Sequence, residues 1–204
     1  ELASPMSEER RYVRTSLMPK MMECLSHNTA HKNENINLFE ISVVYAQDAV
    51  QERVGIVMSG SLQNSKLHGF NVVSDFYSLK GVLEALLKQL GITSNRLSYK
   101  ENTMNTVDFH PYRSAGIYLG KDLLGIMGEV HPSLVKELGL PKGAVYAEIR
   151  LDLLMNVKLT KVKFKPIAKY PSVKRDIALV CSTSVKAADL SAAISKAGKA
   201  LVKN

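Results

Sequence analysis

Residues 4–45 read SPMSEERRYVRTSLMPKMMECLSHNTAHKNENINLFEISVVY, and this stretch joins a helical pattern to a strand pattern. Apolar residues recur three and four apart between Leu17 and Leu25, which predicts a helix over about residues 17–31 with one apolar stripe. From Phe39 to Tyr45 every second residue is apolar, which is the spacing of a β-strand. A helix followed by a long strand therefore decides how the start of this chain folds.

Further strands and helices are predicted from the same two periodicities as far as residue 152. They are strands over residues 53–60, 115–119, 123–130 and 145–152 and helices over 75–90 and 132–138. Gly120–Asp122, between two of the strands, is typical of a tight hairpin turn. The sequence contains no internal repeat and no low-complexity segment.

The helix over 75–90 has the clearest signals at both ends and along one face. Asp75 can cap its N-terminus, and Gly91 ends it. Its apolar face comprises Phe76, Leu79, Val82, Leu83, Leu86, Leu87 and Leu90. The residues expected in the main core, where this face packs against the sheet, are Leu79, Leu83, Leu86 and Leu90.

The periodic pattern stops between Asn156 and Pro171, where lysines and two prolines interrupt it. The expected divisions are a first domain over 1–157, a basic linker over 158–170 and a further segment over 171–204. In that segment we predict a strand over Val173–Val180 and a helix over Lys186–Lys199. One strand and one helix bury too little apolar surface to form a core alone.

The composition is that of a globular protein with a basic surface. Of the 204 residues 46% are hydrophobic, and no apolar run reaches the roughly 18 residues of a membrane span. The formal net charge is +8, and six lysines but no carboxylate lie from Lys158 to Lys174, which is compatible with RNA binding. Cys24 and Cys181 are the only cysteines, and no signal peptide is visible, so a cytoplasmic location is expected.

Five motifs follow one another along the chain. The first combines Pro-Met-Ser-Glu-Glu at 5–9, Val-Arg-Thr-Ser-Leu-Met-Pro at 13–19 and Leu-Phe-Glu-Ile at 38–41. The others are Asp-Phe-Tyr-Ser-Leu-Lys-Gly at 75–81, His-Pro-Tyr-Arg-Ser-Ala at 110–115, Gly-Glu-Val-His-Pro at 128–132 and Lys-Tyr-Pro-Ser-Val-Lys-Arg-Asp at 169–176. In this order they resemble the bacterial phenylalanyl-tRNA synthetase beta chains, and together they are far more specific than any one alone.

The resemblance implies an α+β fold of the class II aminoacyl-tRNA synthetase type. This fold has a mixed, largely antiparallel sheet flanked by helices, followed here by a truncated β-α start of a ferredoxin-like anticodon-binding domain. The chain would then be a segment of a longer subunit. In this family that subunit joins an alpha chain in a heterotetramer, which attaches phenylalanine to its tRNA with ATP and magnesium. The adenylate forms in the alpha chain, so the implied role of this module is to scaffold the alpha chain and help position tRNA.

Residues that bind ATP in active members of this class are missing from the sequence. Active members hold the α-phosphate with an arginine on a strand in this region, but residues 33–52 contain no Arg or Lys. Val145 and Ala147 stand at positions of glycines beside the adenine, where side chains are expected to block close backbone approach. Arg150 is interpreted as a strand residue facing solvent or a partner. We therefore assign no catalytic residue, cofactor-binding residue or metal ligand to this chain.

Two sets of residues are candidates for contacts with partners. The set expected to contact tRNA phosphates comprises Lys163, Lys165, Lys169, Lys174 and Arg175. The set expected at the interface with the alpha chain comprises Met18, Met21 and Met22. The alternatives are an ordinary solvated linker for the lysines and a place in the core for the methionines.

Polar residues on the helix over 17–31 have simple structural explanations. Glu23, His27 and His31 share one face at a spacing of four, and a solvated face explains them better than a metal site. Cys24 and His27 lack an orienting third group, so we expect Cys24 to be a buried structural thiol rather than a nucleophile.

Two rival functions are a free-standing module that binds tRNA or another RNA, and an active class II ATP-dependent ligase. The dispersed basic residues and the lack of an aromatic stacking stripe argue against the first. The missing arginines argue against the second. A tRNA titration at varied salt tests the first rival, and an ATP titration tests the second.

Overall fold

The computed structural model describes residues 3–7, 11–46, 49–159, 164, 166 and 169–202. It divides the chain into two compact units, Glu1–Val162 and Lys163–Asn204. The α-helices described in the first unit are α1 (Met18–Ala30), α2 (Phe76–Gln89), α3 (Pro132–Glu137) and α4 (Leu151–Met155). Its strands are β1 (Ile36–Ala46), β2 (Ala49–Ser59), β3 (Ser61–Ser65), β4 (Phe70–Val73), β5 (Leu97–Glu101), β6 (Phe109–Leu119), β7 (Asp122–Val130) and β8 (Val145–Arg150). The second unit contains α5 (Ala187–Gly198).

Six strands form one sheet in the order β1-β2-β8-β7-β6-β5. Every pairing in the described part of this sheet is antiparallel, which confirms the prediction of a largely antiparallel sheet flanked by helices. The register runs without a break from β1 through β2 to β8, so that Ile56 lies between Phe39 and Ala147. β3 and β4 form a separate hairpin, and β1 and β5 are the two edges of the large sheet.

α2 covers one face of the sheet and closes the main core. Asp75 caps the helix as predicted, because its carboxylate accepts a hydrogen bond from the Ser78 N–H at 2.8 Å. The Ser78 hydroxyl in turn accepts from the Asp75 N–H at 2.7 Å, which completes a capping box. The buried residues of the helix, four apart along one stripe, are Leu79, Leu83 and Leu87.

Leu90 does not belong to this buried stripe, so that part of the core prediction is wrong. Its side chain is 42% exposed, and Leu86 is only partly buried. The helix ends at Gln89, and Gly91 turns the chain with φ +80. Helical periodicity therefore no longer sets the direction of the Leu90 side chain.

α1 covers the opposite face of the sheet. Its buried residues are Met18, Met21, Met22 and Leu25. They pack with Val57, Phe109 and Tyr146 in a second core cluster. The three methionines are 6%, 4% and 2% exposed, so in this structure they offer no surface through which to contact an alpha chain.

Two predicted strands differ from the structure. β8 ends at Arg150, and the residues from Leu151 onward begin α4 instead of continuing the strand. Val173–Val180 is exposed and forms no strand, because no neighbouring strand in the described part of the second unit completes a backbone ladder. α5 confirms the predicted helix over 186–199, but the truncated ferredoxin-like segment is not confirmed.

Both cysteines are free and exposed, so the prediction of a buried thiol at Cys24 is wrong. α1 directs its apolar stripe toward the sheet, and Cys24 lies on the solvent side beside Glu23. In the part of the chain that the structure describes, no helix combines the length and apolar character needed to cross a bilayer.

A buried carboxylate at a small cavity is the candidate functional site

A cavity of about 250 Å³ lies beside Glu148 on the face of the sheet that α1 covers. Glu148 is 5% exposed and belongs to β8, which lies between β2 and β7. Side chains alternate along a strand, so Tyr146 and Glu148 face the α1 side whereas Ala147 and Ile149 enter the core under α2. A charged side chain is thus held at the centre of the sheet.

Both carboxylate oxygens of Glu148 are engaged. Oε1 accepts a hydrogen bond from the Arg53 guanidinium at 2.5 Å. Oε2 accepts from the Ser16 hydroxyl at 2.7 Å, the Leu17 backbone N–H at 3.0 Å and the Tyr146 hydroxyl at 2.6 Å. A charge that would be costly to bury alone is therefore paired and hydrogen-bonded, and it fixes the start of α1 to β8.

The two arginines beside the cavity are both committed to partners within the chain. Besides its ion pair with Glu148, Arg53 donates to Gln51 Oε1 at 2.8 Å. Arg150 donates to the two carboxylate oxygens of Asp152 at 2.6 and 3.2 Å. These hydrogen bonds hold the pKa of Asp152 below its usual range. Arg150, predicted to face solvent or a partner, thus lines the cavity edge as half of an ion pair.

Val145 and Ala147 do not line this cavity, and their predicted effect on adenine binding stays a prediction. Both are 1% exposed and belong to the core on the α2 side. The β8 residues around the cavity are instead Tyr146, Glu148 and Arg150, with Ile149 between the last two. Successive side chains of a strand face opposite sides of the sheet. Val145 and Ala147 therefore face the α2 side, and the Glu148 carboxylate and Tyr146 occupy the cavity side.

Tyr146 provides a test of this hydrogen-bonded cluster through its pH dependence. Burial and the neighbouring Glu148 carboxylate raise the pKa of Tyr146 above its usual value. The folded state therefore holds the phenolic proton more tightly than the unfolded state does. The resulting stabilisation is fully present below about pH 10 and is lost as the pH rises above it.

We expect the Tyr146→Phe variant to lose less stability than the parent chain between about pH 8 and about pH 11, because one of the groups that titrate on unfolding has been removed. Urea unfolding across this range measures the difference. Tyr112→Phe is the matched control, because Tyr112 is 91% exposed. Parallel losses for Tyr146→Phe and the parent would contradict the assignment.

The candidate residues for phosphate contacts belong to the second unit. Lys163 and Lys165 lie outside the described residues. Lys169, Lys174 and Arg175 are exposed there. They remain candidates for phosphate contacts.

The polar face of α1 is exposed. His31 Nδ1 lies 2.8 Å from the carbonyl oxygen of His27, and the two imidazole rings are 4.3 Å apart. Glu23 forms an exposed ion pair with Lys20. Among the residues the structure describes, no cluster of three His, Cys, Asp or Glu side chains is placed to hold a metal ion.

Sequence reasoning missed the residues of this site. Arg53 lies one position beyond the cation-free stretch that argued against ATP binding. Tyr146 and Glu148 were seen only as the polar half of an alternating strand, and alternation usually places such residues in solvent. Strands lie on both sides of β8 and helices cover both faces of the sheet, but only the topology shows this. No sequence pattern could have identified these residues.

The comparisons with known proteins agree with one another. The family model described as the phenylalanyl tRNA synthetase beta chain CLM domain matches residues 1–151. The phenylalanine–tRNA ligase beta subunit of Geobacillus kaustophilus is 40% identical over 100% of this chain and 26% of its own length. That of Bacillus subtilis is 34% identical over 99% of this chain and 25% of its own length. The chain thus spans about a quarter of the length of these relatives.

Solved structures with a similar fold are also found. Two structures of pyrrolysyl-tRNA synthetase from Desulfitobacterium hafniense match 70% of this chain and 48% and 47% of theirs, with TM-scores of 0.50 and 0.52. Their identities of 17% and 16% show a likeness of fold alone, that of a class II synthetase. With a family model over 151 residues and up to 40% identity along its whole length, the chain belongs to the phenylalanyl-tRNA synthetase beta chain family.

Proposed function

We propose that this chain is a non-catalytic module of a cytoplasmic phenylalanine–tRNA ligase beta subunit. In the complete enzyme, ATP, magnesium, phenylalanine and its tRNA would be used together with an alpha chain that forms the adenylate. The module would scaffold the alpha chain and help position tRNA. The observation that carries the non-catalytic part is the buried Glu148 carboxylate at the cavity, ion-paired with Arg53.

The charges at the cavity oppose a nucleotide. ATP brings several negative charges, which a catalytic site must offset with available cations and hydrogen-bond donors. Here Arg53 neutralises Glu148 and Arg150 neutralises Asp152. A phosphate that took Arg53 would leave Glu148, which is 5% exposed, buried without its counter-ion. Exchange of one anion for another at this site is therefore unfavourable.

The size of the cavity supports the same conclusion. Its volume of about 250 Å³ is below the range of about 300–1,000 Å³ that is usual for pockets that enclose a small-molecule ligand. Met18 and Phe109, which are both part of the α1-side core, form one of its walls. Enlarging it would require repacking of that core.

The proposed contribution to tRNA binding rests on the second unit. Lys169, Lys174 and Arg175 are exposed there, and no carboxylate lies between residues 158 and 175. Basic side chains of this kind bind phosphates without reading the base sequence. The second unit, not the cavity, is therefore the part we propose to face tRNA.

We expect the purified chain alone to give no phenylalanine-dependent pyrophosphate exchange and no measurable ATP binding. Exchange should appear when the alpha chain of the same enzyme is added to a complete beta subunit, and the 204-residue chain should copurify with that alpha chain. An exchange assay with labelled pyrophosphate measures the activity, and isothermal titration with ATP and magnesium measures the binding. Exchange by the chain alone would contradict the proposal, and so would failure to copurify with the alpha chain.

A further inference from the structure

Four segments of the first unit meet at one end of the large sheet. They are the last turn of α2, the short 3-10 helix Ser94–Arg96, the turn between β6 and β7, and the residues that follow α4. The carbonyl oxygen of Arg96 accepts from the Gly120 N–H at 3.1 Å, and Arg96 Nη1 donates to the Lys158 carbonyl oxygen at 2.8 Å. The Leu159 side chain lies beside Gly91, just after α2. The four segments therefore form one continuous surface.

Each of these segments brings one basic side chain to this surface. The four residues, called the basic cluster below, are Lys88, Arg96, Lys121 and Lys158. The three lysines are exposed, and Arg96 is half-buried. Residues 85–100 and 153–175 contain no Asp or Glu, so three of the four segments bring no carboxylate. The surface is therefore rich in positive charge.

The charge of the basic cluster is not used in ion pairs within the fold. Elsewhere in the first unit Arg14, Arg53 and Arg113 each pair with a carboxylate, whereas Arg96 donates to an uncharged carbonyl oxygen. In the part of the chain that the structure describes, no carboxylate forms an ion pair with a member of the cluster. Asp122, which follows Lys121, offsets only part of the charge. A net positive charge is thus left for a ligand to neutralise.

The residues around the basic cluster favour a phosphate backbone over a protein surface. Thr93, Ser94 and Asn95 are exposed beside Arg96, and their hydroxyl and amide groups can also donate to phosphate oxygens. None of the four segments contains an aromatic residue. Protein interfaces are enriched in aromatic residues and depleted in lysine. From Lys158 the basic residues continue along the chain to residue 175, which suits a polymer that repeats its negative charge along its length.

We propose that the basic cluster binds the phosphate backbone of RNA and adds a surface of the first unit to the basic residues of the second. The inference rests on the proposed role of the chain in positioning tRNA, and it extends that role to the folded sheet. Because the four segments lack aromatic residues, the contacts are to phosphates and not to stacked bases. Binding at this surface therefore depends strongly on the salt concentration.

The test measures binding of the complete 204-residue chain to a fluorescein-labelled transcript of the phenylalanine tRNA, by fluorescence anisotropy at several salt concentrations. The cluster variant combines Lys88→Ser, Lys121→Ser and Lys158→Ser. We expect it to bind about tenfold more weakly or worse. The slope of the logarithm of affinity against the logarithm of salt concentration should fall by about one for each lysine removed. Arg96 is kept, because its guanidinium also holds the backbone at Lys158.

The matched control variant combines Lys66→Ser, Lys136→Ser and Lys142→Ser. These three lysines are also exposed in the first unit, but they lie outside the four segments. The control removes the same charge and should weaken binding much less than the cluster variant does. Thermal unfolding checks that both variants are folded. Equal weakening by the two variants would assign the effect to net charge alone and would overturn the proposal.

A third variant, in which Lys169, Lys174 and Arg175 of the second unit are replaced with serine, separates this inference from the proposed function. If it weakens tRNA binding and the cluster variant does not, the inference is wrong and the proposed role of the second unit stands. If only the cluster variant weakens binding, the inference stands and the proposal for the second unit is wrong. No binding by the parent chain would overturn both. A cluster variant that binds tRNA normally but no longer copurifies with the alpha chain would assign the surface to a protein partner and overturn the inference.

Discussion

Replacing Arg53 with methionine is expected to lower the free energy of unfolding by about 3–5 kcal/mol, because it leaves a buried carboxylate without its counter-ion. The side chains of Arg53 and Glu148 are 21% and 5% exposed, so little water replaces the lost guanidinium. Methionine keeps the unbranched apolar stem of arginine and removes only the charged end. Chemical denaturation monitored by circular dichroism measures the change.

Two further variants serve as the control and the rescue for Arg53→Met. Lys20→Met removes the exposed ion pair between Lys20 and Glu23. It should lower the free energy of unfolding by less than about 1 kcal/mol. Adding Glu148→Gln to Arg53→Met removes the unpaired charge and should recover part of the loss. If Arg53→Met costs no more than Lys20→Met, the cluster around Glu148 does not stabilise the fold in the way described.

Truncating Leu83 to alanine is expected to cost about 2–5 kcal/mol, because the site is closed on all sides and can collapse only partially. Leu83 is 1% exposed and packs under the sheet with Leu79 and Leu87. The cost combines the lost burial of the side chain with the cavity left behind. Urea unfolding of the variant and the parent gives the difference directly.

Leu90→Ala is the matched control for Leu83→Ala, because both leucines were expected in the core from sequence and only Leu83 is buried. Leu90 is 42% exposed. Its truncation should therefore lower the free energy of unfolding by well under about 2 kcal/mol, the lower bound for Leu83→Ala. Equal losses for the two variants would mean that the helix is rotated or extended relative to this structure.

Local features of the fold were predictable from sequence because their causes lie within a few residues. The Asp75 cap, the glycine stop and the apolar stripe of α2 are all set by neighbours on the same helix. The failure at Leu90 has the same origin, since the last turn is where helical periodicity ceases to hold. The failure of the strand over 173–180 is of another kind, because a strand needs a partner that no local pattern supplies.

The candidate site depends on contacts that sequence reading does not reach. Arg53 and Glu148 are 95 positions apart, and no sequence pattern near either residue predicts their contact. The alternation on β8 correctly indicated a strand but could not show that both of its faces are covered. Likewise, Met18 and its neighbours were recognised as an apolar stripe, while the choice between core and partner surface required the sheet they pack against.

The bonds from Ser16 and Leu17 to Glu148 also set an order of events during synthesis. They join residues 132 and 131 positions apart, so α1 cannot dock fully until β8 has been made. Translation at about 5–20 residues per second makes this delay on the order of ten seconds. For that interval only the β1–β2 hairpin is available to cover the methionine side of α1. Such long-range closure slows folding and leaves part of this apolar surface exposed on the nascent chain.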